Sequence, residues 1–79
     1  MHPCPCCRCL TMDSASRDSY DICPVCGWED DPAQFVDPDL AGGANSVSLE
    51  VAWENFTRFG ACDTAALEFV RKPLPEELP

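Results

Sequence analysis

The clearest hydrophobic pattern in the sequence is helical and lies in the second half of the chain. Apolar residues recur at positions i, i+3, i+4, i+7 and i+10, and they are Leu49, Ala52, Trp53, Phe56 and Phe59. This spacing places them on one face of an α-helix. Ser48 is suited to cap the N-terminus, and Gly60 is suited to end the helix. The pattern predicts a helix between these two residues whose apolar face packs on the rest of the domain.

The first half of the chain predicts strands. Short apolar segments at 10–12 and 19–22 lie on either side of the polar residues 13–18. This arrangement predicts two short strands with a turn between them. A hairpin of this size is not stable alone in water, so a metal crosslink would matter here.

Two further segments carry weaker patterns. Residues 31–45 are acidic, contain two prolines and Gly42-Gly43, and predict an irregular connector. Asp63 or Thr64 is suited to cap a second short helix that ends before Pro73.

The last residues of the chain are rich in proline and acidic residues. Residues 73–79 contain three prolines and two glutamates, which predicts an extended or disordered tail. We therefore expect a single cysteine-rich domain at 1–72 followed by this tail.

The length of the chain limits the core it can build. A chain near 79 residues buries only about 60% of the surface that its unfolded form exposes, so its core is marginal without a crosslink. Seven cysteines offer disulfides or a metal site. Their odd number fits a closed set of disulfides poorly, and no apolar signal segment is visible. We expect a cytoplasmic protein with reduced thiols, a bound metal and no membrane span.

Four of the cysteines form a C-x2-C-x15-C-x2-C array, and they are Cys4, Cys7, Cys23 and Cys26. This spacing is typical of a zinc site. Each pair has the form Cys-Pro-x-Cys, in which proline presets φ for the turn, and Gly27 after the last cysteine tolerates a positive φ. A structural zinc site closes all four tetrahedral positions with ligands such as thiolates. The array predicts one zinc ion held by these four residues.

Other ligand sets remain open. Cys6 and Cys9 form a second, overlapping C-x2-C pair and are alternative ligands. A two-ion cluster that also uses His2 or Cys62 is a further alternative.

Two other chemistries also fit the cysteines. Iron is the rival metal because tetrahedral coordination by four sulfurs does not distinguish it from zinc. The segment 23–27, Cys-Pro-Val-Cys-Gly, resembles a knuckle of rubredoxin. A thiol-redox pair usually accompanies a βαβ unit, which is not visible in this sequence.

The charge of the chain is strongly negative. Fourteen acidic residues against five basic ones give a net charge of −9, and residues 18–57 contain no Lys or Arg. Nucleic-acid binding depends on Lys and Arg, so this function is disfavoured. An acidic surface favours a basic protein partner. The candidate partner-binding residues are Glu29, Asp30, Asp31, Asp37 and Asp39.

Several longer segments resemble one family. They are Cys-Pro-Cys-Cys at 4–7, Cys-Pro-Val-Cys-Gly-Trp-Glu-Asp-Asp at 23–31, Asp-Pro-Asp-Leu-Ala-Gly-Gly-Ala-Asn at 37–45 and Asn-Phe-Thr-Arg-Phe-Gly at 55–60. Together they resemble the bacterial cysteine-rich CPCC family. The resemblance implies a zinc-ribbon-like site at Cys4, Cys7, Cys23 and Cys26, with Cys6 a hallmark of unknown role, and implies no particular activity. Where that family usually has glycine and an aromatic residue, this chain has Arg8 and Cys9.

These patterns together predict a small α+β domain. It combines a zinc-ribbon-like hairpin and knuckle unit with one main amphipathic helix and a short C-terminal helix. The predicted function is a non-enzymatic protein-binding module, for instance an immunity protein or antagonist of a basic partner such as a toxin. The alternative is a rubredoxin-like electron carrier or thiol-redox protein, and a nucleic-acid-binding zinc ribbon is less favoured. The sequence predicts no oligomeric state.

Overall fold

The computed structural model of the protein describes residues 1–13 and 19–79. Its elements are strands β1 (His2–Pro3) and β2 (Leu10–Met12), helices α1 (Pro32–Val36) and α2 (Leu49–Phe59), and 3₁₀ turns at Thr64–Ala66 and Pro75–Glu77. The two strands form an antiparallel hairpin. The fold is therefore the small α+β arrangement that the sequence predicts. No helix in the described ranges is long and apolar enough to cross a membrane.

Helix α2 begins and ends where its capping residues predict. The hydroxyl of Ser48 accepts a hydrogen bond from the Val51 N–H at 3.1 Å. Gly60 follows the helix with a φ of 86°, and its N–H donates to the Phe56 carbonyl. A left-handed φ at this position is favourable for glycine because it has no Cβ. The predicted boundaries of the main helix are confirmed.

The apolar face of α2 packs on the cysteine-rich half of the chain. Leu49 and Ala52 are buried in the core, and Trp53 and Phe56 pack against it at its edge. The indole N–H of Trp53 donates to the Pro5 carbonyl at 2.7 Å. The apolar face therefore packs on the rest of the domain, as its periodicity predicts, and it does so beside the first cysteine turn.

The strand pairing differs from the prediction. Strand β2 forms at the predicted residues but pairs with His2–Pro3, whereas the segment 19–22 contributes only an isolated bridge between Ile22 and Glu29. Most of the turn predicted at 13–18 lies outside the described residues. Instead, each cysteine turn brings its own two flanks together: residues 4–9 join β1 to β2, and residues 23–28 join Ile22 to Glu29.

The connector 31–45 is more regular than expected, because α1 lies within it. Asp31 caps α1 by accepting a hydrogen bond from the Ala33 N–H at 2.8 Å. Gln34 on α1 is fully buried, and its Nε2 lies 3.0–3.2 Å from the carbonyl oxygens of Leu40, Asn45 and Val47. One side chain thus satisfies backbone carbonyls that regular secondary structure would otherwise satisfy.

The C-terminal part also differs from expectation. The helix predicted from Asp63 or Thr64 is a single 3₁₀ turn, and Phe69 beyond it is 78% exposed. The segment 73–79, expected to be extended or disordered, contains a 3₁₀ turn that contacts β2.

Glu77 anchors this tail. Its side chain is buried, and its two carboxylate oxygens accept hydrogen bonds from the Arg71 guanidinium at 2.8 and 2.9 Å. The Leu74 N–H also donates to it at 2.8 Å. These bonds hold the tail against the domain.

The core is built mainly from cysteines. Its buried members are Cys4, Cys6, Cys7, Cys9, Met12, Cys23, Val25, Cys26, Trp28, Leu49, Ala52 and Cys62. All seven cysteines of the chain are therefore buried. Trp28 is the largest side chain in the fully buried set. The cysteine cluster takes the place that a larger hydrophobic core occupies in longer domains.

Candidate metal centre

Two similar turns present the four array cysteines. In the first, the Arg8 N–H donates to the Cys4 carbonyl at 2.9 Å, and in the second the Gly27 N–H donates to the Cys23 carbonyl at 2.8 Å. The residue after each pair has a positive φ, 69° at Arg8 and 86° at Gly27. Each turn thus carries its two cysteines on one compact knuckle.

The four sulfur atoms converge on one point. The Sγ atoms of Cys4, Cys7, Cys23 and Cys26 all lie within 4.8 Å of one another, and all four residues are buried. The Sγ atoms of Cys4 and Cys26 are 3.6 Å apart, and those of Cys7 and Cys23 are 3.7 Å apart. A tetrahedral zinc ion with Zn–S bonds of about 2.3 Å requires sulfurs about 3.8 Å apart. These residues therefore fit one tetrahedral metal ion.

The four thiols strongly perturb one another's ionisation. Hydrogen bonds from Cys26, and then from Cys4 and Cys7, lower the pKa of Cys23. The hydrogen bond to Cys23 is in turn the main cause that raises the pKa of Cys4, Cys7 and Cys26. A metal that binds all four sulfurs must displace the protons of these thiols, so its binding depends on pH.

Two groups outside the four thiols stabilise charge on sulfur. The Thr11 hydroxyl lies 3.0 Å from the Cys23 Sγ, and the backbone N–H of Trp28 donates to the Cys26 Sγ at 3.5 Å. Such contacts stabilise ligating thiolates and fix their orientation. Sequence reasoning did not assign Thr11, because a single threonine on a short strand has no diagnostic spacing.

Comparison with known protein families identifies the family of the chain. The family model described as cysteine-rich CPCC matches residues 2–77. The chain belongs to the cysteine-rich CPCC family. A search of curated proteins gave no match. In this CPCC protein the Cys-Pro-Cys-Cys segment forms the first knuckle, and its outer cysteines, Cys4 and Cys7, point to the centre.

The other cysteines of the CPCC protein lie outside the four-thiol cluster. The Cys6 Sγ lies 3.5 Å from the Ala52 carbonyl oxygen on α2, and Cys9 is buried nearby in the core. Burial raises the pKa of Cys62 to about 12. All seven cysteines are free of disulfides. The structure brings together the four array cysteines, and Cys6, Cys9 and Cys62 are not members of that group, although the Cys6 thiol lies close enough to Cys26 to raise the pKa of Cys26.

The candidate partner-binding acids fall into two groups. Asp30 and Asp31 are buried, so their side chains are not available on the surface to a protein partner. Asp30 accepts a hydrogen bond from Ser19 at 3.0 Å, and Asp31 accepts one from the Ala44 N–H at 2.9 Å, which lowers the pKa of Asp31. Their carboxylates are used inside the fold because they satisfy backbone and hydroxyl donors.

Glu29 is half-buried, and its backbone pairs with the Asn45 side chain through hydrogen bonds of 2.9 and 2.8 Å. Asp37 and Asp39 are exposed. Of the five candidate partner-binding residues, these last two are the ones with exposed side chains.

A close pair of carboxyl groups lies beside the N-terminal part of α2. The Glu50 N–H donates to the Pro38 carbonyl at 3.1 Å, which holds the loop of Asp39 against the helix. A hydrogen bond to Asp39, its negative charge and the charge of Glu54 raise the pKa of Glu50. We define the acidic surface as Asp37, Asp39, Glu50 and Glu54, all of which are exposed. The i, i+4 spacing of Glu50 and Glu54 is the sequence signal that could have added them to the candidate set.

Proposed function

We propose that this CPCC protein is a non-enzymatic, zinc-stabilised module that binds a basic protein through the acidic surface. The observation that carries the proposal is the exposed acidic group formed where the loop of Asp39 meets Glu50 and Glu54 of α2, held there by the hydrogen bond from the Glu50 N–H to the Pro38 carbonyl at 3.1 Å. The metal centre has a structural role in this proposal, because it holds together the knuckles on which α2 packs.

The like charges of the acidic surface support a basic partner. A side-chain hydrogen bond to Asp39, followed by the negative charge of Asp39, raises the pKa of Glu50, and the two carboxylates repel each other when both are ionised. Within residues 1–13 and 19–79, the one ion pair is that of Arg71 and Glu77 in the C-terminal part. A Lys or Arg from a partner would offset the repulsion and would also speed association.

Zinc is the proposed metal. Four buried thiolates in two C-x2-C knuckles form a closed site, and a closed site with four sulfur ligands is typical of structural zinc. The sulfur geometry alone also fits iron, so the rubredoxin-like electron carrier is the second candidate. Purified protein that is colourless and contains one zinc per chain would exclude the electron carrier. A red protein that contains iron would instead favour the electron carrier over the zinc-stabilised binding module.

The most specific form of the proposal is an immunity protein or antagonist that neutralises a basic toxin in the bacterial cytoplasm. Small size and high negative charge suit that task because they favour fast, tight capture of a cationic surface. Seven free cysteines suit a reducing compartment. Thiol-redox activity is less well supported, because all seven sulfurs are in buried residues.

Affinity capture with matched charge variants tests the proposal. The bait proteins are the wild type, the double variant Asp39→Asn/Glu50→Gln, and the control Glu68→Gln/Glu76→Gln, which removes the same charge from exposed residues of the C-terminal part. The wild type and the control should capture the same basic protein, which then binds in a purified system with an affinity that falls as salt increases. Equal capture by the double variant, or a partner that is not basic, would contradict the proposal.

A further inference from the structure

A concave pocket of about 550 Å³ lies where the first knuckle meets both helices. Its walls are His2 and Pro3 of β1, Cys4, Pro5 and Arg8 of the knuckle, Phe35 of α1 and Trp53 of α2. Small-molecule sites typically have volumes of about 300–1,000 Å³, mostly apolar and aromatic walls, and few polar groups. The size and the lining of this pocket match that description.

Arg8 occupies an unfavourable backbone conformation at the edge of this pocket. Its φ of 69° is left-handed, a region that side chains with a Cβ rarely adopt. The equivalent residue of the second knuckle is Gly27, with a φ of 86° and the same hydrogen bond back to the first cysteine of its pair. The turn itself therefore does not need an arginine. A strained residue that the local fold does not require points to a role for its side chain.

The guanidinium of Arg8 is placed to bind an anion. Its Cζ lies 5.8 Å from the centre of the Trp53 ring, and that ring is fixed by the hydrogen bond from Nε1 to the Pro5 carbonyl. In the described part of the chain, Arg8 forms no salt bridge, although acidic residues far outnumber basic ones. A guanidinium that contacts an aromatic ring through its flat face can still donate its N–H groups to a carboxylate that lies in the guanidinium plane.

The charge of the lining identifies the kind of ligand. No aspartate or glutamate lines the pocket, and apart from the candidate metal ligand Cys4 its one formally charged side chain is that of Arg8. Aromatic side chains form two of its walls, from Phe35 and Trp53. We propose that this pocket binds a small aromatic carboxylate, whose anionic group contacts Arg8 and whose ring lies against Trp53 and Phe35.

This pocket is separate from the acidic surface, because the two have no residue in common. A basic protein partner and a small organic anion are therefore independent predictions, and either can fail without the other.

The ligand class can be tested with indole-3-acetate as the probe and the metal-loaded, full-length protein as the receptor. Titration followed by ¹H–¹⁵N NMR should give saturable shifts of the Trp53 indole and Arg8 amide signals, with a Kd of about 1 mM or tighter for a ligand of this size. Indole-3-acetamide lacks the charge, and acetate lacks the ring, so each should bind at least about tenfold more weakly. No saturable shift, or equal affinity for the acid and the amide, would overturn the proposal.

Two arginine variants separate binding from folding. Arg8→Gly should weaken indole-3-acetate binding by at least about tenfold, while metal content is kept and the melting temperature is unchanged or higher because the strained φ is relieved. Arg58→Gln removes an exposed arginine of α2 that does not line the pocket, so its affinity should match the wild type. Undiminished affinity in Arg8→Gly, or an equal loss in Arg58→Gln, would refute the assignment.

Discussion

The indole N–H of Trp53 donates a hydrogen bond to the Pro5 carbonyl at 2.7 Å, across 48 residues of sequence. Pro5 lies between Cys4 and Cys7, so this bond connects helix α2 directly to the first knuckle of the metal centre. The knuckles have almost no regular secondary structure of their own. We infer that the packing of α2 depends on the knuckle geometry, which a metal bound by the four cysteines would stabilise.

Removal of the metal should therefore unfold the protein cooperatively. Structural zinc sites in small peptides contribute about 10–16 kcal/mol of apparent binding free energy at neutral pH, which is comparable to or larger than the whole stability of a typical domain, about 5–15 kcal/mol. Chelation under reducing conditions should abolish the helical circular dichroism signal, and added zinc should restore it. Unchanged circular dichroism after complete metal removal, checked by elemental analysis, would contradict this.

Alanine substitution of single cysteines should separate ligands from core residues. Cys23→Ala removes the sulfur that Thr11 contacts at 3.0 Å and should abolish stoichiometric metal binding. Cys6→Ala, Cys9→Ala and Cys62→Ala should each retain one ion per chain, because these residues lie outside the four-thiol cluster. Native mass spectrometry measures the stoichiometry. Loss of the ion from Cys6→Ala would indicate that Cys6 and Cys9, the overlapping C-x2-C pair, supply ligands in place of Cys4 and Cys7.

Sequence reasoning predicted the elements whose causes are local. The caps and the apolar periodicity of α2 are set by residues within the helix and directly beside it. The two cysteines of each pair are likewise separated by only two residues, so short-range rules predict both features. The role of Gln34 depends on carbonyl groups 6 to 13 residues away, which no periodicity reveals. The burial of Asp30 was likewise missed, because an aspartate in a polar turn is normally exposed.

The acidic surface should make stability depend on pH through Glu50. Asp39 raises the pKa of Glu50, so the folded state favours its protonated form. This contribution to stability is fully present below the unfolded pKa of about 4.3 and is lost as the pH rises through the higher folded value. Glu50→Gln should therefore have a higher melting temperature than the wild type at pH 7, and this gain should shrink as the pH falls. Salt should also reduce the gain.

Glu68→Gln is the matched control for this experiment, since it removes the same charge from an exposed residue outside the acidic surface. It should change the melting temperature less than Glu50→Gln at every pH. A gain for Glu50→Gln that does not depend on pH would rule out repulsion by Asp39 as the cause.

The bidentate pair of Arg71 and Glu77 should stabilise the C-terminal tail over a different pH range. The Arg71 hydrogen bonds lower the pKa of Glu77 to about 2. Stability from a lowered carboxyl pKa is fully present above the unfolded value and is lost only as the pH falls toward the folded one. Glu77→Gln should thus lower the melting temperature by an amount that stays constant between about pH 5 and pH 8. Glu76→Gln, next to it but exposed, should have little effect.

The buried amide of Gln34 should be one of the least replaceable polar groups outside the metal centre. Its Nε2 faces the carbonyl oxygens of Leu40, Asn45 and Val47, and its Oε1 accepts from the Asn45 backbone and side-chain amides at 3.0 Å. Gln34→Glu keeps the shape but places carboxylate oxygen against carbonyl oxygens in a fully buried site. We expect a loss of at least about 3 kcal/mol in the free energy of unfolding, because buried acceptors would lose their donors.

Asn55→Asp provides the comparison, since the Asn55 side chain is half-buried and donates one hydrogen bond, to the Cys62 carbonyl at 2.9 Å. Its loss should cost about 1 kcal/mol. Denaturant unfolding of the metal-loaded variants measures both effects. The difference between them should persist at saturating zinc, because the hydrogen bonds of Gln34 go to the loop between α1 and α2 and not to the array cysteines. Equal losses in the two variants would mean that the loop does not depend on the Gln34 network.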